Sequence, residues 1–150
     1  MKSAIRLTVG AIAGVAMSAT ALAQEREPMS AAQLEQCAQQ VQALRAESAR
    51  LNAAAAEQDA ERDALAELRA AVGESREAAQ RYNERATAFN ERMARFRDDL
   101  AEINATRDAY AQRCAERPYR RADLEAMPAP LRNAMRQGLA DVRVPNAGPR

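Results

Sequence analysis

Cys37 and Cys114 are the residues of this chain with the most specific chemistry. A single pair of cysteines supports either a structural disulfide or thiol–disulfide exchange. Exchange sites place their cysteines close together, as in Cys-x-x-Cys, and that spacing does not occur here. The pair therefore predicts a structural bridge. Closing so long a loop contributes roughly 4 kcal/mol in the chain-entropy account. Other reactive patterns are sparse. The chain has no His, which removes the commonest zinc ligand and general base. It carries no Gly-rich phosphate loop, nucleophile elbow or zinc-protease motif. Asp98, Asp99, Glu102 and Asp108 are the densest carboxylates. They lie off the apolar seam described next, so they predict a solvated helix face rather than a calcium or magnesium site. The expectation is a non-enzymatic protein without metal or cofactor.

The elements that must bring the two cysteines together are visible as paired positions. If the chain turns near Gly73–Ser75, residues whose numbers sum to 151 face each other, as 37 and 114 do. Val41 then meets Tyr110, Ser48 meets Ile103, Leu51 meets Leu100, Ala55 meets Phe96 and Leu65 meets Ala86. Each partner also falls on a 3–4 seam within its own stretch. The first stretch supplies Leu34, Val41, Ser48, Ala55, Arg62 and Arg69, alternating with Cys37, Leu44, Leu51, Gln58, Leu65 and Val72. In the second stretch a seven-residue repeat sets Tyr82, Phe89, Phe96, Ile103 and Tyr110 beside Ala79, Ala86, Met93, Leu100, Arg107 and Cys114. The fold predicted is all-α: a long antiparallel two-helix coiled-coil hairpin over residues 30–117, stapled at its open end, with a short C-terminal helical segment.

Local signals mark the ends. Ser30 with Gln33 makes a capping box, and Met29 is placed to staple against Leu34. Gly73 suits a left-handed helix stop and Ser75 the next cap. A helix of about forty residues runs roughly 60 Å. Arg62, Arg69 and Arg107 interrupt the seam opposite Phe89, Tyr82 and Leu44; their stems are expected to pack on those side chains while the guanidinium reaches water. This leaves the half near the turn weakly held. Pro118 is expected to end the second helix, Asp123 to cap a helical turn, and Pro130 to open a small helix closed by Gly138.

Composition agrees with a slender object. There are 3 Tyr, 2 Phe and no Trp, too few aromatic residues for a thick core. Residues 1–23 read as a secretory signal peptide: Lys2 and Arg6, then an uncharged apolar stretch from Leu7 to Leu22, then Ala21-Leu22-Ala23 before Gln24. The stretch is short and weakly apolar for a membrane span of roughly twenty residues, so no stable insertion is expected after cleavage, and the compartment predicted is periplasmic or extracellular. Without Lys2 and Arg6, 20 arginines stand against 21 acids. That balance and export exclude nucleic acid as a partner. Residues 24–29 form a short lead, and residues 118–150 a small helix and irregular tail. The tail gathers Tyr119, Arg120, Arg121, Leu131 and Met135, residue types enriched at interfaces. They are the candidate contact for another envelope protein or a second copy. The competing expectation is that the tail folds back over the stapled end.

Cys114-Ala-Glu-Arg117-Pro118-Tyr119, followed by Asp123-Leu124, resembles the ending of uncharacterised exported bacterial proteins built on a coiled-coil hairpin. The resemblance covers about residues 80–124. It implies export and a helical hairpin and brings no activity. Two roles remain in view: a periplasmic structural or adaptor module, and a holdase-type chaperone for envelope proteins.

Overall fold

The computed structural model describes residues 27–73 and 75–146; the predicted leader, residues 1–23, lies outside them. Two long helices, α1 (Ala31–Ala70) and α2 (Arg76–Arg113), pack against each other as an antiparallel hairpin. Two short helices follow, α3 (Arg121–Ala126) and α4 (Ala129–Gln137). The capping box forms as the sequence predicts. Gln33 N–H donates to Ser30 Oγ at 3.2 Å, and Ser30 N–H donates to Gln33 Oε1 at 2.9 Å. Ser75 caps α2 by accepting from Ala78 N–H at 3.1 Å.

The turn differs from expectation. α1 ends at Ala70, and its cap Ala71 keeps right-handed angles. Among the described residues the one glycine with positive φ is Gly138, at 55°, so Gly73 does not act as a left-handed stop. Bonds from Ala71 N–H to Leu68 O and from Val72 N–H to Arg69 O tighten the last turn instead. Gly138 does close α4, where an L side chain at that φ would be strained.

The apolar seam is unevenly covered. Near the disulfide, Leu34, Val41, Leu44, Leu51, Leu100 and Ile103 are almost fully buried. Toward the turn, beyond Leu51 and before Phe96, Leu65 and Ala78 are the buried side chains among the described residues. Ala78 takes the inward place that the heptad pattern gives to Ala79, which is half-buried. The reason for the contrast is a third layer. α3 and α4 lie on the disulfide half of α1, and Leu124, Met127, Ala134 and Val142 enter the same core. These side chains cover one flank of that half of the seam.

Candidate functional site

The stapled end is built from the cysteines outward. Cys37 sits one turn into the buried stripe of α1, and Cys114 is the residue that caps α2. The bridge sets their Cα atoms 5.8 Å apart, a spacing that helices with axes roughly 8–10 Å apart reach wherever two Cα atoms face each other, each about 2.3 Å off its axis. The second helix stops earlier than Pro118: Cys114 leaves helical angles at φ −121°, ψ −40°, and Glu116 turns through φ 58°. A non-glycine residue in the left-handed region costs of order 1–3 kcal/mol, which the bridge and the chain beyond it hold in place. Both cysteines are nearly inaccessible, at 5% and 6% exposure. Met29 Sδ packs 3.8 Å from Cys37 Sγ, a van der Waals contact because the bridged sulfur carries no hydrogen. Attack by an external thiolate needs access to a sulfur along the S–S axis, so this arrangement suits a permanent staple.

Around the bridge the two ends of the hairpin are sewn together. Met29 N–H donates to Pro118 O at 2.8 Å, an isolated parallel bridge that sets Met29 beside Tyr119. Arg117 Nη2 donates to Glu27 O at 3.0 Å. Tyr110 is buried, and burial pushes its hydroxyl above the usual tyrosine range, Arg45 partly offsetting the shift while Tyr119 adds to it.

From there the tail runs back along α1. α3 has no side-chain cap; Asp123 lies in its first turn rather than capping it, and Arg120 takes the cap position. Pro130 occupies the second position of α4, after Ala129. Arg136 Nη2 bonds Glu125 Oε1 at 2.6 Å and Arg132 Nη1 donates to Glu125 O at 3.1 Å, joining the two short helices. The segment after α4 is held by polar side chains of α1. Arg45 Nη2 donates to Gly138 O at 2.9 Å. Ser48 Oγ–H donates to Arg143 O at 2.6 Å and accepts from Arg143 N–H at 3.0 Å. Asn52 Nδ2 donates to the same carbonyl at 2.8 Å. Ser48 was expected to face Ile103 as a small residue in the seam. It is buried at 4% and also clamps a backbone from the far end of the chain, a role no local pattern announces.

The candidate contact residues divide. Leu131 and Met135 are half-buried and pack against the core, so the tail does fold back over the stapled end. Tyr119, Arg120 and Arg121 remain exposed, Tyr119 at 39% being the exposed large apolar side chain among the described residues. Depressions mark the rod along its described length. A groove of about 870 Å³ opens where the tail leaves α1 at Pro145 and Asn146, floored by Phe89, Met93 and Phe96. In its wall Arg62 pairs with Asp59 at 3.0 Å rather than reaching over Phe89 alone, and Gln58 Oε1 is buried without a partner. A shallower one, about 370 Å³, lies on the opposite flank between Glu47 and Glu102. Asp99 is engaged by Arg50 at 2.6 Å, and no helix among the described residues is long and apolar enough to cross a membrane.

No protein-family model matches this chain, and comparison with curated proteins and with solved structures gives no match.

Proposed function

We propose that this protein is an exported, non-enzymatic helical hairpin that works as a structural or adaptor module among envelope proteins, presenting its stapled end to a partner. One observation carries the reading: the polar and reactive groups of the stapled end are engaged in holding the end together, while Tyr119, Arg120 and Arg121 stand exposed beside it. A buried disulfide fits a chain that works outside the reducing cytosol. An exposed tyrosine flanked by two guanidinium groups is a compact patch of the residue types that dominate binding energy at interfaces.

A photo-crosslinking residue at Tyr119 tests the proposal, with one at the solvent-facing Ala60 as control. The expected result is an envelope protein captured at position 119, and loss of that same partner in an Arg120→Glu, Arg121→Glu variant that keeps its melting temperature. Equal capture at both positions, or none at 119, removes the adaptor reading. Stoichiometric suppression of the aggregation of an unfolded outer-membrane protein would put the holdase role in its place.

A further inference from the structure

We propose that the flank of the hairpin away from the tail is a self-association surface, pairing two copies side by side and antiparallel. The two flanks are told apart by their contacts. Arg45, Asn52 and the segment 138–146 occupy one. The other is crossed by Glu61 to Arg85 at 2.7 Å and to Arg92 at 3.3 Å, by Arg50 to Asp99 at 2.6 Å, and by Gln40 Nε2 to Thr106 O at 3.4 Å. No tail residue makes a hydrogen bond or ion pair with those side chains among the described residues. This second flank is open along its length, with the depression over Leu44 and Ile103 on it.

Its charge is divided lengthwise. The stretch toward the disulfide holds Glu47, Asp99 and Glu102 against Arg50 and Arg113, an excess of one negative charge. The stretch toward the turn holds Arg81, Arg85, Arg92 and Arg95 against Glu57 and Glu61, an excess of two positive charges. The four arginines recur at helical spacing along one side of α2, Arg81 one turn before Arg85 and Arg95 one turn after Arg92. A twofold axis perpendicular to the rod lays the acidic stretch of each copy on the basic stretch of the other, twice over. That is the self-complementarity an isologous contact requires, and it selects a second copy of this chain over an unrelated partner. Pointing both tips the same way would set like stretches against each other. A flank about 55 Å long and about 10 Å wide gives on the order of 1,000 Å² buried over both copies, near the lower bound for specific association. The pairing leaves both stapled ends free, one at each end of the dimer.

Sedimentation velocity on the purified disulfide-bonded protein tests this, from micromolar to submillimolar concentration. A reversible dimer is expected, with affinity falling severalfold or more between about 20 mM and about 500 mM salt. Arg81→Glu with Arg95→Glu makes the flank wholly acidic and should leave a monomer, as should the wholly basic Glu47→Arg with Glu102→Arg. Mixed one to one, the two variants should associate again. Circular dichroism confirms that each still folds; all four positions face solvent or lie at the rim. Spin labels on Gly73→Cys, where an added Cβ meets nothing within 4 Å, should lie beyond about 50 Å apart in the dimer, the span of most of the rod. A monomer throughout, no restoration on mixing, or labels within about 20 Å of each other would overturn the proposal.

Discussion

Ser48 shows how much of this molecule hangs on single polar groups. A serine in a helix interior is neutral to unfavourable and usually returns its hydroxyl to its own backbone. Here the hydroxyl both donates to and accepts from Arg143, across 95 residues of chain. Ser48→Ala removes both bonds, leaving the Arg143 carbonyl with Asn52 and the Arg143 amide without its acceptor. The expected loss is about 1–2 kcal/mol in chemical denaturation, together with faster hydrogen exchange at the Arg143 amide. Unchanged exchange there would mean that Asn52 and the flanking Val142 hold the segment by themselves. Tyr110 gives a pH test at the same scale. Burial raises its pKa above the ordinary value of 10.0, so the unfolded chain deprotonates first as pH rises. The stabilisation is complete below pH 10 and is lost as pH climbs through the raised value. Denaturant midpoints should therefore fall as pH rises above 10, and Tyr110→Phe should flatten that fall. Glu61 acts at the other extreme: its bonds to Arg85 and then Arg92 lower its pKa, so its small surface contribution is present above the ordinary glutamate range and fades as pH drops below it.

At the scale of elements, register is the property most open to test. Leu51 and Leu100 are both buried and sum to 151. In a Cys37→Ser, Cys114→Ser background, Leu51→Cys with Leu100→Cys should oxidise readily, while Leu51→Cys with Ile103→Cys should lag. Equal rates would mean the helices slide. The same background should itself be less stable by about 4 kcal/mol, the loop-closure contribution of a bridge spanning 77 residues. The hairpin was legible because two periodicities coincide: the seam within each helix, and the pairing of Cys37 with Cys114 across them. The Ser30 and Ser75 caps were legible because capping is local. What escaped depends on competition between local and distant demands. Pro118 is a strong helix terminator, yet α2 stops at Arg113, where Cys114 leaves helical angles and Glu116 turns through the left-handed region. Gly73 offers a left-handed stop that the turn does not use. Beyond Gly138 the tail is irregular, as its sequence predicts, but nothing in Val142–Val144 reveals that Ser48 and Asn52, far away in sequence, hold its backbone. Among the contact candidates, Leu131 and Met135 looked like Tyr119 by residue type; only the packing of α4 on α1 separates them.

At the scale of the whole molecule the rod is unequal along its length, and the tail is the cause most open to experiment. The disulfide half buries the tail's Leu124, Met127, Ala134 and Val142 together with the α1 seam. Full burial of one such large apolar side chain is worth about 1.5–3 kcal/mol, so the tail's share is comparable to the 5–15 kcal/mol net stability of a typical domain. Truncation after Arg117 should therefore lower the melting temperature sharply while the disulfide still joins the two helices. Hydrogen exchange locates the loss. In the intact protein, amides in the buried stretch from Ala38 to Leu51 should exchange far more slowly than those from Ala56 to Ala70, where Leu65 is the buried side chain. Truncation should bring the first stretch down toward the second and change the second much less, since α3, α4 and Val142 join the core of the disulfide half while only Pro145 and Asn146 reach the groove beside Ala56 and Asp59. If the gradient instead survives truncation, the staple alone sets it, and the tail is an appendage of a hairpin whose order comes from Cys37 and Cys114.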